Sequence, residues 1–301
     1  MHVHTLDDLA SRATLDAGHS KPARLAVIGH PVGHSASPRM HQPALDEAGI
    51  DARYIALELE PGSIAGAFQQ MAELGFIGCN VTVPHKFEAM EACDEIDAAA
   101  RDLGAVNTVR FDADAIRGSN TDGYGFEHAV RESLDTDLAG RSVLIVGAGG
   151  GAGGAIAAHC VRSGVKRLVL VNRTLSKIEN LAARLQSKGT EIITLAADTI
   201  TEPDHLQLAQ SSTLLVNTAS LGLKQGDPSP LPETCFTADH LVFDTIYEPS
   251  RTSFIRAAET AGARTANGLG MLLHQGVRSF EIWFPGTTPT AAMRRGLTGG
   301  D

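Results

Sequence analysis

Three groups of residues in this chain have types and spacings that could do chemistry. The first is a glycine loop. Val143 to Gly154 reads VLIVGAGGGAGG, a short apolar run that breaks into glycines, and AIAAHCV then continues as a helix. Gly147, Gly149 and Ala152 stand at the positions of G-x-G-x-x-G/A, and Ala148, Gly150 and Gly151 fill the loop. In such a loop the first glycine permits a tight turn and the second lets backbone approach a pyrophosphate. The small third residue lets helix and strand pack closely, and the helix N-terminus aims N–H groups at the phosphates. Strand, loop, helix and next strand follow in the order a dinucleotide site requires.

The second group says which dinucleotide. Roughly 20 residues after such a loop, an NAD site carries Asp or Glu on the ribose hydroxyls. Here the strand RLVLV ends in Asn172, Arg173 and Thr174, with Lys177 one turn later and no carboxylate. A guanidinium binds a 2′-phosphate through two parallel hydrogen bonds. Cations at a helix N-terminus oppose the macrodipole and need another reason to be there. The expected cofactor is NADP(H).

The third group is NVTVPHK, Asn80 to Lys86. Val81 and Val83 alternate with Asn80 and Thr82, which predicts a strand with one apolar face and one face bearing an amide and a hydroxyl. Pro84 has no N–H to donate and stops the ladder. A nicotinamide enzyme needs a proton donor where hydride meets a carbonyl. Lys86 is a candidate, and Asp122 in NTDGYG is a candidate partner, because an ammonium beside a carboxylate can hand a proton to a developing alkoxide. By residue type alone, a surface lysine, an Asx-turn aspartate and a solvent-facing edge strand remain open.

The elements that must position these groups form two series. In the first, a strand at Leu25 to Ile28 breaks at Gly29 and Pro31. SPRMHQPALDEAGI then reads as a helix, with Ser37 as N-cap, Pro38 at its first position and Gly49 at its end. ARYIALEL is a strand, SIAGAFQQMAELGF a helix, and NVTV the next strand. HKFEAMEACDEIDAAARDLGA is helical again. The order β-α-β-α-β implies a mainly parallel sheet. Around Asn120 a glycine-punctuated loop leads into a helix, a crossing between domains. The second series runs SVLIVG, GGAIAAHCVRSG, RLVLVNR, LSKIENLAARLQSKG, EIITLAA, TLLVNTA, HLVFDTIY and TSFIRAAETAGA. The tail MLLHQGVRSFEIWFPG is a helix ending near Pro285, expected to return to the first domain.

Composition sets the frame. A length of 301 residues suits two domains, and 43% hydrophobic with 20% charged residues suits full cores. The formal net charge of −10 argues against a general nucleic-acid binder. Cys79, Cys93, Cys160 and Cys235 form no CxxC, so buried reduced thiols in a cytoplasm are expected. The 12 histidines include no HExxH and no tight His/Cys/acid cluster, so no metal is expected. Val143 to Val161 lacks Asp, Glu, Lys and Arg but is too rich in glycine to span lipid. Gly151, Gly153 and Gly154 make the phosphate loop unusually glycine-rich and therefore flexible. The first 22 residues show no secretory signal and read as a loose extension with a short helix near Leu6 to Ala10.

From about Leu25 to Gly286 the chain resembles the shikimate dehydrogenase family, NADP-dependent enzymes that reduce 3-dehydroshikimate to shikimate. The resemblance rests on eight blocks in order: GHPVGHSASPRMHQ, NVTVPHK, GAVNT, GSNTDGYG, GAGGGAGGA, NRT, DTIYEPSRT and GLGMLLHQGVRSFEIWFPG. It implies that Ser35 and Ser37, helped by Tyr247, bind the substrate carboxylate. It implies that Asn80, Thr82, Asn107 and Gln275 hydrogen-bond the ring hydroxyls. Lys86 and Asp122 become the catalytic pair and touch substrate, while His30, His34 and His85 become neighbours rather than proton donors. Thr245, Gly268 and Met271 fall on the cofactor side. A site that bonds each hydroxyl rejects analogues lacking one, because its own buried groups are left unpaired.

The expected fold is α/β in two domains, a mainly parallel α/β substrate domain and a Rossmann-like, doubly wound NADP-binding domain. The boundaries are an extension at 1–22, substrate domain at 23–125, NADP domain at 126–264 and a returning helical segment at 265–301. The active site is expected in the cleft, outside the carboxyl ends of the strands. The expected activity belongs to aromatic amino acid (chorismate) biosynthesis, in a cytoplasmic monomer or homodimer with no nucleic-acid or membrane partner. The rivals are a quinate or aminoshikimate dehydrogenase of the same family, and a non-catalytic sensor of the same ligand.

Overall fold

The computed structural model describes residues 2–185 and 189–299 and divides the chain into two compact units, Met1–Thr121 with Leu273–Asp301, and Asp122–Leu272. The end of the helix expected from Leu175, residues 186–188, lies outside the described residues.

The first unit begins with β1 (Val3–His4), a 3-10 turn at Leu6–Ala10 and α1 (Arg12–Leu15). There follow β2 (Ala23–Gly29), α2 (Ser37–Glu47), β3 (Arg53–Glu58), α3 (Ile64–Glu73), β4 (Gly78–Val81), α4 (Lys86–Glu91), β5 (Glu95–Ile96), α5 (Ala98–Leu103), β6 (Thr108–Phe111) and β7 (Ile116–Ser119). The sheet order is β1-β3-β2-β4-β6-β7-β5. The first four strands are mutually parallel and buried on both faces, which is why β2 and β3 read as near-continuous apolar runs. The chain goes from β2 to β3 on one side and then to β4 on the other. That reversal makes the carboxyl ends of β2 and β4 a switch point, where open α/β sheets place their ligands.

The second unit repeats this logic with α6 (Asp122–Leu134), β8 (Ser142–Val146), α7 (Gly151–Arg162), β9 (Arg167–Asn172), α8 (Leu175–Arg184), β10 (Glu191–Ala196), α9 (Pro203–Ser211), β11 (Leu214–Asn217), β12 (Leu241–Asp244), α10 (Ser253–Thr260) and β13 (Arg264–Ala266). All six strands are parallel in the order β10-β9-β8-β11-β12-β13, the doubly wound arrangement, with its switch point between β8 and β11. The helix α11 (Leu269–Trp283) starts in this unit and continues into the first from Leu273. Within the first unit α12 (Thr290–Thr298) then packs on α2.

The α/β reading holds for both units, and some local expectations are corrected. The strand NVTV stops at Val81 and lies inside the sheet, between β2 and β6; Val83 is 67% exposed and belongs to the following loop. The stretch 85–105 is two short helices with β5 between them, because Asp97 caps α5 through Ala100 N at 2.7 Å. The sheet is mainly parallel as expected, with an added antiparallel hairpin of β6 and β7 against β4. Ser37 is the first residue of α2 rather than its cap, and makes no capping bond. Pro43 inside that helix lacks the N–H that would bond Arg39 O, and α12 approaches there at Gly296, where a Cβ would overlap that carbonyl.

The N-terminal extension is not loose. Val3 and His4 pair with Ala56 and Leu57 of β3. Leu9 and Leu15 are buried in the same cluster as Phe68, Met71 and Phe76. Arg12 donates to Leu74 O at 2.8 Å and to Ala23 O at 2.5 Å, and Ala23 N donates to Asp16 Oδ1 at 2.7 Å. The cysteines are free, and burial pushes the Cys93 thiol up to about 12 and Cys235 to about 11. Among the described residues no helix is long and apolar enough to cross a membrane.

Beneath α2 lies a ring stack. His41 is fully buried, with its ring 4.5 Å from Tyr54 at an interplanar angle of 4°, and 5.4 Å from Trp283. Neither ring nitrogen has a hydrogen-bond partner, and burial lowers its pKa to about 3. The unfolded chain, with an ordinary histidine near 6.5, therefore binds a proton that the folded chain refuses. Stability is complete above that value and falls as pH drops from about 6.5 toward about 3, by on the order of 1.4 kcal/mol per pH unit. Urea titrations from pH 7 to 4 should show His41→Phe losing less stability over that range than the parent; parallel curves would mean that His41 does not titrate this way. Leu15→Ala should cost about 2–5 kcal/mol as a core truncation. A change within about 0.5 kcal/mol, ordinary for a surface site, would return the extension to a loose tail.

Candidate active site

The switch point of the first unit gathers polar side chains at the ends of β2 and β4. After β2 the loop at 30–36 turns back through Ser35 N, which donates to Val32 O at 2.9 Å. Ser35 Oγ accepts from Ser37 N at 3.3 Å, and Ser37 is buried where α2 begins. Ser37 also lies in hydrogen-bond reach of the Tyr54 hydroxyl. Burial pushes the Tyr54 pKa well above its ordinary value, so that hydroxyl is a permanent donor.

The same hydroxyl donates to Asn80 Oδ1 at 2.8 Å. Asn80 Nδ2 reaches Ser279 Oγ at 2.9 Å, Thr108 Oγ1 at 3.2 Å and Asn107 O at 3.3 Å. Asn107 Oδ1 accepts from Thr121 N at 2.9 Å, and its Nδ2 donates to Thr121 Oγ1 at 3.1 Å. Ser279, one turn beyond Gln275 on α11, also meets Thr108 Oγ1 at 2.8 Å and donates to Gln275 O at 2.9 Å. Sequence reasoning missed Tyr54, Thr108, Thr121 and Ser279. A serine on a helix and a tyrosine in a strand have no spacing that marks them, and only the folded register brings them to Asn80.

Thr82 and Lys86 follow on a fixed backbone. Thr82 N donates to Ile28 O at 2.8 Å, His85 N to Thr82 O at 3.0 Å, and Val106 N to Lys86 O at 2.9 Å. Lys86 is half-buried at the first position of α4. The neighbouring histidines are differently placed. His85 is buried and its Nε2–H donates to Leu59 O at 2.8 Å. His30 lies between Glu58 and Glu60, at 3.8 Å and 3.7 Å, and His34 is exposed.

In the second unit the loop after β8 has the conformation its glycines require. Gly147 has φ +83°, and a Cβ there would meet Ala219 N at 2.6 Å. A Cβ on Gly149 would meet Asn172 Nδ2 at 2.7 Å and Lys177 Cβ at 3.2 Å, so this loop and the end of β9 touch. The close helix approach assigned to Ala152 is made at Gly153, whose Cβ would lie 2.7 Å from Ala148 Cα. Gly151, Gly153 and Gly154 are therefore helix residues of α7, two of them buried, rather than extra loop flexibility. Gly150 is the N-cap, with no side chain over the first-turn N–H groups. Asn172 Nδ2 donates to Thr174 O at 3.0 Å. Arg173 and Lys177 are exposed at the start of α8, and no hydrogen bond or ion pair among the described residues holds either side chain. A glycine cradle, an open helix N-terminus and two free cations with no carboxylate fit an NADP adenosine end.

The remaining expected residues also fall in this unit. Gly268 packs so closely on Thr245 that a Cβ would overlap the Thr245 carbonyl, and Gly268 N donates to Ile246 O at 3.2 Å. Met271 is buried on α11, and Tyr247 is half-buried after β12. Asp122 is buried at the first position of α6, the residue after Thr121. Thus Ser35, Ser37, Asn80, Thr82, Lys86, Asn107 and Gln275 belong to the first unit, and Asp122, Tyr247 and the cofactor-side residues to the second.

Comparison with known proteins gives concordant matches. Residues 27–109 match the shikimate dehydrogenase substrate binding domain, 128–221 the shikimate / quinate 5-dehydrogenase family, and 268–296 the shikimate 5'-dehydrogenase C-terminal domain. A shikimate dehydrogenase (NADP(+)) of Methanopyrus kandleri is 39% identical over 277 residues, covering 91% of this chain and 94% of that protein. A Thermus thermophilus shikimate 5-dehydrogenase, solved with NADP(H) and shikimate, is 32% identical with a TM-score of 0.81, covering 92% of this chain and 99% of that one. A quinate dehydrogenase from Corynebacterium glutamicum, solved with NAD, is 28% identical with a TM-score of 0.81, over 91% of this chain and 98% of that one.

Proposed function

The chain belongs to the shikimate dehydrogenase family, and we propose that it catalyses the reversible reduction of 3-dehydroshikimate to shikimate with NADPH. The observation that carries this reading is the set of uncharged polar groups, with one lysine, at the carboxyl ends of β2 and β4. A small polyhydroxylated acid presents donors and acceptors on every edge, and Ser35, Ser37, Asn80, Thr82, Asn107 and Gln275 supply their complements. Ser35 and Ser37 take the carboxylate, with Tyr247; the amides and Thr82 take the ring hydroxyls. Lys86, with Asp122 as its acid–base partner, holds the C3 oxygen and gives it a proton, a contribution of about 10²–10⁴ in rate for a positioned group.

The first unit takes the substrate and the second the cofactor. When bound, NADPH supplies the hydride. Gly147 to Ala152 hold the pyrophosphate, and Asn172, Arg173, Thr174 and Lys177 hold the adenosine end with its 2′-phosphate. Thr245, Gly268 and Met271 line the nicotinamide end. The quinate dehydrogenase relative, solved with NAD, keeps quinate with NAD as the rival reading. The free cations at Arg173 and Lys177, with no acidic residue on the ribose side, favour NADP instead.

Steady-state rates on shikimate and quinate, each with NADP and with NAD, test the reading. Shikimate with NADP should be turned over fastest; dominant quinate turnover with NAD would overturn it. Protein that binds both ligands without any turnover would be a sensor. In the same assay Lys86→Ala should lower kcat by about 10²–10⁴-fold with ligand binding less affected. Unchanged turnover would remove Lys86 from the chemistry. Arg173→Ala should weaken NADP far more than NAD, whereas equal losses would mean that Arg173 does not read the 2′-phosphate.

A further inference from the structure

At one edge of the first unit, His2, His4 and Asp8 each offer a ligand atom, and these atoms all lie within 4.8 Å of one another. This corrects the expectation that the chain holds no tight cluster of metal-binding residues. We propose that this trio binds one zinc-class divalent ion and that the ion fastens residues 2–8 to the edge of the sheet.

The placement of His4 carries the argument. It lies in β1, opposite Leu57 of β3, and is 5% exposed. Its Nδ1 is buried without a hydrogen-bond partner. That nitrogen sits 3.4 Å from Asp8 Oδ2. Two ligand atoms on a tetrahedral ion with bonds of about 2.0–2.1 Å stand about 3.4 Å apart, so the pair already spans one tetrahedron edge. An unpaired buried nitrogen otherwise costs stability, and an ion between the two atoms removes that cost.

The other two groups are suited to complete the site. Asp8 is held on the turn at Leu6–Ala10, where its Oδ2 accepts from Thr5 N at 2.9 Å. The His2 ring stands edge-on to His4 with centroids 4.5 Å apart, and it is exposed, so it can turn onto an ion. The exposed side leaves room for a water as fourth ligand. Two imidazoles and a carboxylate form a donor set that zinc accepts. The nearby Arg53 guanidinium is engaged elsewhere, with Leu15 O at 2.5 Å and Asp16 at 3.5 Å. The H-x-H-x3-D spacing shows no helical or hairpin ligand pattern. Only a two-residue strand followed by a tight turn folds Asp8 back onto His4.

Equilibrium dialysis of the full chain against Zn2+, with metal analysis and thermal unfolding in parallel, tests the proposal. One equivalent per chain and a raised unfolding midpoint are expected, since an ion that binds only the folded chain stabilises it. His2→Gln should weaken uptake at least ~10-fold while leaving the metal-free midpoint unchanged, because that ring is exposed. Asp8→Asn should weaken it at least as much. Absence of bound zinc, or uptake equal in the parent and both variants, would overturn the proposal.

Discussion

The Asn80 carboxamide is a buried polar group, and the first unit is arranged to satisfy it. Leaving one such donor or acceptor unpaired costs about 1–3 kcal/mol. Its oxygen takes the Tyr54 hydroxyl from β3, and its nitrogen is shared among Ser279, Thr108 and the Asn107 carbonyl. A strand end, the hairpin and α11, 199 residues away in the chain, are thereby tied to one side chain. Asn107 extends the tie to Thr121, the last residue of this stretch of the first unit. The amide nitrogen has two hydrogens for three acceptors, so its donor capacity is fully used within the unit, and a ligand bonded to Asn80 must displace one of the two longer partners at 3.2 and 3.3 Å.

What the sequence made legible follows from how local the signal was. The glycine loop, β9 and its terminal arginine lie within about 30 contiguous residues, and a local pattern with a physical role for each glycine can be read without a fold. The same reading put the close helix contact at Ala152 when Gly153 makes it, because the pattern counts residues while the contact depends on where α7 begins. The hairpin β6–β7 carried no sharp turn signal of the Asn-Gly kind; Asp112 to Ala115 closes it. β1 is two residues long, too short for any periodicity, and is recognisable only through its partner β3. Ser279 and Tyr54 belong to the site solely through tertiary register.

Fold and function separate in this family. A shikimate dehydrogenase and a quinate dehydrogenase both superpose on the chain with a TM-score of 0.81, so the scaffold does not select between them. Selection falls to individual groups, and the start of α8 is the sharpest of these. Other arginines of the chain have acidic partners: Arg117 with Asp112, Asp114 and Glu95, Arg131 with Asp137, and Arg167 with Glu191. In a chain of net charge −10, with 35 acidic residues, cations find partners easily. Arg173 and Lys177 stand without them at the end of a helix that repels positive charge, which is the arrangement expected where an anionic ligand supplies the compensation.

The choice of proton donor can be argued from what each neighbour is already doing. His85 spends its Nε2–H on Leu59 O, and its burial leaves no path for a substrate to that ring. His30 lies against two carboxylates of the β3 edge, and His34 stands in solvent on the loop after β2. Glu88, the acid nearest in sequence, is occupied in holding the start of α3, with Ile64 N at 3.0 Å and Gly62 N at 3.1 Å. Lys86, the proposed donor, has its carbonyl held by Val106 N, and the residue before it is held by Thr82 O through His85 N. The bond from His85 to Leu59 O anchors the residue that immediately precedes α4, which begins at Lys86. A proton donor gains most when its orientation is set before the substrate arrives, and the turn between β4 and α4 meets that condition.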